Sequence, residues 1–175
     1  MLLRFVSAIA VAFALPVGLS AQEMPAPRLE YVELQTSEGD ILLALEVERA
    51  PVTAANFLRY VREGRFDGTV FYRAMVLDWE PRPNGLVQGG TQNDPDRVLP
   101  PIAHERTSDT GLAHIRGALS MARWEPGTAT GDFTILLQDM PSLDADPGNL
   151  DSAMHDGYAV FGRVAGGMEV VERIH

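Results

Sequence analysis

The spacing of polar and apolar residues after position 28 predicts a β-hairpin. Polar and apolar side chains alternate over the second half of residues 29–36, which is the period-two pattern of a half-buried strand. Residues 41–47 are almost continuously apolar, and residues 37–40 between the two segments include Gly39, as is typical of a turn. The two segments therefore predict the first two strands of a sheet.

Helical periodicity predicts two helices. Pro51 opens the first helix, because proline lacks the N–H that would have no partner in a first turn. Gly64 ends this helix, and residues 167–174 begin a second helix with Met168 facing inward. The apolar face of the first helix repeats at i, i+3, i+4 and i+7 and consists of Ala54, Phe57, Leu58 and Val61.

Further short apolar segments predict more strands, separated by long loops over residues 78–84 and 91–101. Many short strands with two helices and long polar loops are typical of a β-barrel or a β-sandwich. No repeat or linker divides residues 29–175, so they predict a single domain. The additional strands are predicted over residues 69–76, 85–90, 117–122, 132–137 and 158–164.

The first 21 residues have the pattern of a secretory signal peptide. Arg4 gives a basic start, residues 5–15 are apolar, and cleavage is expected after Ala21 or, as an alternative, after Ser20. The apolar run is shorter than the ~20 residues that span a bilayer. A buried N-terminal helix is the alternative interpretation. Residues 22–28 contain two prolines and predict a flexible leader.

Composition and charge exclude several functions. The chain has 175 residues, 46% hydrophobic and 22% charged, which is ordinary globular composition. All 14 basic residues are arginine and face 24 acidic residues, so the net charge of −10 disfavours binding to nucleic acid. Cysteine is absent, which excludes disulfides, thiolate nucleophiles and cysteine metal sites.

Generic chemical motifs name no nucleophile, base or metal site. The four histidines lack the spacing of a zinc site, and the acidic residues 144–151 do not match an EF-hand calcium loop. Ser120 lies outside a Gly-x-Ser-x-Gly motif, so a serine hydrolase is not indicated. From these patterns alone we expect an exported β-rich domain without a cofactor or a metal.

Several segments in the same order resemble the cyclophilins, the family of peptidyl-prolyl cis/trans isomerases. The strongest are Phe66-Asp67-Gly68-Thr69-Val70-Phe71-Tyr72-Arg73 and Gln88-Gly89-Gly90, followed by Gly117-Ala118-Leu119-Ser120-Met121-Ala122 and Val160-Phe161-Gly162-Arg163-Val164. Residues 36–41 and 50–57 resemble the family's first hairpin and first helix, and the likeness covers most of residues 32–174. The resemblance implies a mainly β fold, a closed eight-stranded antiparallel barrel capped by two α-helices.

The resemblance also implies a chemistry and a set of site residues. An arginine stabilises the twisted X–Pro amide, and this role falls on Arg73, with Gln88 binding the substrate backbone and orienting Arg73. Phe71 is expected to pack near the proline pocket, while Ala122 and Arg123 are expected to line the substrate groove.

The chain departs from the family pattern at the pocket. Asp132 and Thr134 occupy substrate-binding positions where the family has glutamine and phenylalanine, and Tyr158 falls at a pocket histidine. Other departures are a longer 77–85 segment that includes Trp79, a glycine at position 85 in place of an aromatic residue, and Ala153 or Met154 near another pocket aromatic. The chain ends inside the second predicted helix, so a final barrel strand is expected to be missing.

The resemblance thus implies a peptidyl-prolyl isomerase, which we expect in the periplasm of a Gram-negative bacterium, assisting the folding of exported proteins. Its expected partners are Pro-containing segments of unfolded exported proteins, with no nucleic acid and no membrane insertion after signal cleavage. The alternative is a module of the same fold that binds Pro-containing peptides with little turnover. The pocket departures leave the two readings open.

Overall fold

The computed structural model describes residues 27–78, 81–150 and 155–175. The predicted signal peptide and most of the leader lie outside these ranges, as do Trp79, Ala153 and Met154. Within them, no helix is both long enough and apolar enough to cross a bilayer.

The strands lie close to where the apolar pattern predicts them. They are β1 (Glu30–Thr36), β2 (Gly39–Leu45), β3 (Val70–Met75), β4 (Leu86–Gly90), β5 (Ala118–Met121), β6 (Phe133–Leu136) and β7 (Val160–Gly166). The two predicted helices are α1 (Pro51–Arg62) and α3 (Met168–Ile174), and the structure adds the four-residue helix α2 (Thr107–Thr110) and a 3₁₀ turn at Pro141–Leu143.

The strands form one antiparallel sheet in the order β1-β2-β7-β5-β6-β4-β3. This curled seven-stranded sheet with two helices confirms the mainly β fold. The closed barrel of eight strands is not formed by the described residues, because β1 and β3, at the two ends of the order, are not hydrogen-bonded to each other.

Helix α1 packs against one face of the sheet through an aromatic cluster centred on Phe57. The Phe57 ring lies 5.1 Å from that of Phe66 and 5.2 Å from those of Phe133 and Phe161. Contacts of this kind between aromatic rings stabilise a core beyond the area they bury. The cluster therefore holds α1 against β6 and β7.

Candidate active site

A cleft of about 700 Å³ opens between β3, β4, β5 and β6. Strand pairing places residues from distant parts of the chain beside one another, because Gln88 is the partner of Arg73 on one side and of Thr134 on the other. Seven of the predicted site residues line the cleft, namely Arg73, Gln88, Ala122, Arg123, Asp132, Thr134 and Tyr158.

Phe71 is the predicted site residue that the structure places elsewhere. A β-bulge interrupts β3, since Phe71 pairs with Gly89 and Arg73 pairs with the adjacent Gln88, which leaves Tyr72 as the extra residue. The bulge lets Tyr72 and Arg73 both face the cleft. Phe71 packs instead against the core, with its ring 6.1 Å from that of Phe133.

Arg73 reaches into the cleft without a carboxylate partner among the described residues. Its Nη1 donates to Oε1 of Gln88 over 3.3 Å, and its Nη2 lies 3.7 Å from Sδ of Met75. The guanidinium is exposed, so its charge and its remaining N–H groups face the space that a ligand would occupy.

Asp132 lies in a cage of backbone donors formed by the loop after β4. Its side chain is buried with 6% exposure, and its Oδ1 accepts a 2.8 Å hydrogen bond from the N–H of Gln92. Burial raises the pKa of Asp132 above its ordinary value, and the backbone N–H groups of Gln92, Thr91 and Asn93 oppose that shift.

Glycine at position 90 allows this cage to form. Gly90 has φ +131°, and a Cβ there would lie 2.4 Å from the carbonyl oxygen of Gly131 and 2.5 Å from Oδ1 of Asp132. A larger residue would therefore displace the loop that supplies the donors. The second glycine of the Gln88-Gly89-Gly90 motif thus has a direct physical role next to Asp132.

Tyr72 is bonded to Gln88 in the cleft. The Tyr72 hydroxyl accepts a 2.8 Å hydrogen bond from Nε2 of Gln88. Burial, reinforced by the negative charge of Asp132, raises the pKa of Tyr72 to about 12. The phenol therefore keeps its proton at any physiological pH.

Arg123 forms the far wall of the cleft together with Tyr158. The Arg123 guanidinium lies over the Tyr158 ring, 4.7 Å from the ring centre, which is a cation–π contact. Its Nε donates over 3.0 Å to the carbonyl oxygen of Gly157, and its Nη1 donates over 3.0 Å to that of Trp124. These bonds fix an arginine where the family resemblance implies a residue that contacts the substrate backbone.

The floor of the cleft is mostly aliphatic. Thr134 is half-buried, and its hydroxyl donates over 3.3 Å to the carbonyl oxygen of Ser120. Around it lie apolar side chains that line the cleft, several of which form a second small core: Met75, Leu86, Met121, Met140 and Leu143. A flat or branched apolar group of a ligand would therefore pack against these side chains rather than against an aromatic ring.

The side chain of Asn84 bridges the long segment between β3 and β4 through hydrogen bonds to its backbone. The Oδ1 of Asn84 accepts from the N–H of Leu77 over 2.7 Å, and its Nδ2 donates to the carbonyl oxygens of Leu77 and Pro81 over 3.2 and 3.3 Å. Asn84 is completely buried, so it holds this loop together from inside.

A hydrogen-bonded group lies behind the floor. His114 is bonded through Nδ1 to Oδ1 of Asp144 over 2.6 Å and through Nε2 to Oγ of Ser120 over 2.8 Å. The arrangement Asp144–His114–Ser120 is the one that activates a serine nucleophile in hydrolases. Ser120, however, lies in the middle of β5 and is only 2% exposed. We therefore interpret the group as a structural support of the floor.

The sequence did not single out several residues that line the cleft. Tyr72 adjoins Arg73 and was visible in the motif, but only the bulge turns it into the cleft. Trp124 is 83% exposed at the rim, and a lone aromatic residue in a loop gives no sequence signal of its position. No cluster of three potential metal ligands occurs among the residues that the structure describes.

Comparisons with known proteins show which family the chain resembles. The family model of the cyclophilin type peptidyl-prolyl cis-trans isomerases matches residues 31–175. Peptidyl-prolyl cis-trans isomerase A of Dickeya dadantii is 40% identical over 149 residues, which cover 82% of this chain and 70% of the relative. Peptidyl-prolyl cis-trans isomerase B of Escherichia coli is 35% identical over 148 residues, covering 82% of each chain.

A solved structure shares the fold. The cyclophilin type peptidyl-prolyl cis-trans isomerase of Cryptosporidium parvum, crystallised in the presence of the dipeptide Ala-Pro, superimposes with a TM-score of 0.66 at 22% identity and covers 83% of this chain and 84% of its own. Sequence relatives and fold agree, and the chain belongs to the cyclophilin-type family of peptidyl-prolyl cis-trans isomerases.

Proposed function

We propose that the cleft catalyses cis/trans isomerisation of X–Pro bonds and that Arg73 is its catalytic residue. Rotation about this bond crosses a barrier of ~18–20 kcal/mol, because it breaks the amide resonance. The proline nitrogen becomes pyramidal and basic as the bond twists. A fixed guanidinium directed at that nitrogen stabilises the twisted amide more than the planar one, which lowers the barrier.

The position of Arg73 carries the proposal. The guanidinium is held at one point by Gln88, has no carboxylate partner in the described part of the chain, and lies at the edge of an apolar floor. The floor accepts the proline ring, and the exposed N–H groups of Arg73 then face the ring nitrogen. A solved family member was crystallised in the presence of the dipeptide Ala-Pro.

The remaining cleft residues bind the peptide on either side of the proline. Gln88 and Arg123 supply side-chain donors for substrate carbonyl groups, and Ala122 leaves room for the chain to pass. Thr134 and Tyr158 contact the proline ring and the residues next to it. Asp132 acts indirectly, because its Oδ1 accepts a hydrogen bond from the N–H of Gln92 in the loop after β4.

The activity is tested with a short Ala-Pro peptide and the purified protein lacking its first 21 residues. NMR exchange spectroscopy measures the interconversion of the cis and trans peptide, which takes ~10–100 s without a catalyst. We expect exchange that rises with enzyme concentration. Line broadening without any increase in exchange would instead indicate a module that binds Pro-containing peptides.

We further propose that the protein is exported and acts on Pro-containing segments of exported proteins in the periplasm. The basic residue, apolar run and small residues at the start of the chain support this proposal. We expect material from the periplasm to begin near Gln22 when it is sequenced from its N-terminus. Material that retains Met1, or protein found only in the cytoplasm, would contradict export while leaving the isomerase proposal intact.

A further inference from the structure

A short segment after β6 forms one side of the cleft, and we name residues 140–144 the wall segment. It contains the 3₁₀ turn Pro141–Leu143, and the side chains of Met140 and Leu143 line the cleft. The carbonyl oxygen of Leu143 also accepts from the N–H of Tyr158 over 2.9 Å, so the segment supports a further lining residue. The position of the wall segment therefore determines the shape of this side of the cleft.

One buried residue, His114, holds both ends of the wall segment. Its carbonyl oxygen accepts from the N–H of Met140 over 2.7 Å, at the start of the segment. At the other end, Oδ1 of Asp144 accepts from the His114 N–H over 3.0 Å and is bonded to Nδ1 of the ring over 2.6 Å. We name these three bonds the His114 anchor. His114 is 1% exposed, so its side of the anchor is shielded from water.

The same imidazole is bonded to the floor of the cleft. The Asp144 carboxylate can only accept, so Nδ1 carries the proton and Nε2 accepts from the Ser120 hydroxyl over 2.8 Å. Ser120 lies in β5, and its carbonyl oxygen accepts from the hydroxyl of Thr134 over 3.3 Å. His114 therefore connects the wall segment to the strand that supports the floor.

We propose that His114 and Asp144 are positioning residues, which determine how tightly the cleft binds its substrate by holding the wall segment against the floor. The proposal rests on the proposed function, in which the cleft binds Pro-containing peptides. Without the anchor, the lining side chains of the segment must be ordered when the peptide binds, which lowers affinity. Arg73 and Gln88 belong to β3 and β4 rather than to this segment, so we expect the catalysed rotation itself to change little.

The geometry of the anchor allows its bonds to be separated from the charge of Asp144. Both bonds to Asp144 end on the same oxygen, and an asparagine can present its side-chain oxygen at that place. Asp144→Asn therefore keeps the bonds and removes the charge, whereas Asp144→Ala removes both. Asp144→Glu keeps the charge and moves the oxygens by one methylene. The matched control is Asp146→Ala, which removes an exposed acidic residue of the same loop.

The first test uses NMR to measure the dissociation constant Kd of a short Ala-Pro peptide and its exchange rate when the protein is saturated. For Asp144→Ala we expect Kd to rise about three- to tenfold, the cost of ordering one or two side chains, with the exchange rate within about twofold. Asp144→Glu should also raise Kd. Asp144→Asn and the control Asp146→Ala should keep Kd within about twofold of the parent value.

An unchanged Kd in Asp144→Ala, measured well below its melting temperature, would overturn the proposal, because the anchor would then only stabilise the fold. A Kd that rises equally in Asp144→Asn would overturn it as well, by assigning the effect to charge. If Asp144→Ala does not fold, Asp144→Glu provides the same comparison with Asp144→Asn. A parent protein that binds the peptide without exchange would refute the isomerase proposal and leave this one intact.

The second test follows the anchor without a peptide. The ¹³C signal of the Met140 methyl group reports the start of the wall segment, away from the substituted position at its end. We expect this signal to move in Asp144→Ala and Asp144→Glu and to stay at its parent position in Asp144→Asn and Asp146→Ala. A signal that is unchanged in Asp144→Ala, or that moves as far in Asp144→Asn, would overturn the role of the anchor. A parent protein that binds no Ala-Pro peptide would refute the proposed function, whereas the Met140 signal would still decide whether His114 and Asp144 hold the wall segment.

Discussion

His114 shows at the scale of one residue how a polar group is tolerated in the interior. Its side chain is 1% exposed, and both ring nitrogens are bonded, one to Asp144 and the other to Ser120. The carboxylate of Asp144 accepts from Nδ1–H, so Nε2 carries the lone pair and accepts from the Ser120 hydroxyl. Burial lowers the pKa of His114 below its ordinary value, although Asp144 opposes the shift.

This pKa makes stability depend on pH. The unfolded chain takes up a proton on His114 below pH 6.5, where the folded protein still resists it. The unfolded state therefore binds more protons, and the free energy of unfolding should fall as the pH drops below 6.5, by at most about 1.4 kcal/mol per pH unit for one proton.

Urea denaturation at a series of pH values from 7.5 to 5 measures this effect. His114→Asn should lose stability at all pH values, because two hydrogen bonds are disturbed, and should lose the decline that begins near pH 6.5. His155→Asn, which changes a more exposed histidine, should retain that decline. An unchanged decline in His114→Asn would contradict the assignment.

Asp132 shows what one residue in a sequence does and does not predict. Its position in the cleft followed from the family resemblance, and the structure brings it there. Its hydrogen bond to the loop after β4 did not follow, because the donor, the N–H of Gln92, lies forty positions earlier in the chain.

At the scale of elements, strands and helices of clear periodicity could be predicted from the sequence, whereas short polar elements could not. The α2 helix has four residues without an apolar face, and the 3₁₀ turn after β6 has three. The bulge in β3 likewise has no pattern in the sequence, because it depends on the register between β3 and β4. Such features are set by tertiary contacts rather than by local pattern.

A substitution of Gly90, the last residue of β4, tests how the following loop is held. For Gly90→Ala we expect a loss of about 1–3 kcal/mol in the free energy of unfolding, because φ is +131° and the new Cβ would meet Gly131 and Asp132. We also expect lower kcat, since the cage of Asp132 would be displaced. Denaturant titration and peptide exchange measure the two effects.

Gly111→Ala is the matched control. Gly111 also has a positive φ, +66°, but a Cβ there meets no atom within 4 Å, so only the cost of the left-handed backbone, about 1–2 kcal/mol, is expected. Equal stability losses and equal kcat values in the two variants would show that contact with Asp132 has no special importance.

At the scale of the whole molecule, the sheet brings residues that are distant in sequence together in one wall of the cleft. The strand order places Arg73, Gln88 and Thr134 side by side, because β3, β4 and β6 are neighbours in the sheet. In sequence, by contrast, β5 lies between β4 and β6. Hydrophobic periodicity predicts that strands exist but not which strands pair. Eight site residues were predicted from the resemblance to the cyclophilins, and seven of them line the cleft.

The strand order also shows why the described residues do not form the expected closed barrel. The described residues supply seven strands, and the ends of the sheet, β1 and β3, remain unpaired with each other. The cleft does not require that closure, since its walls come from four neighbouring strands at one end of the order.

The proposed catalysis depends most on the charge of Arg73, and exchange NMR on an Ala-Pro peptide tests this dependence directly. Arg73→Ala should lower kcat/KM by about 10²–10³, the usual effect of removing one preorganised donor, while the melting temperature stays close to that of the parent because the side chain is exposed. The control Arg62→Ala removes an exposed arginine of α1 and should retain full activity. An Arg73→Ala protein that isomerises the peptide as fast as the parent would contradict the account.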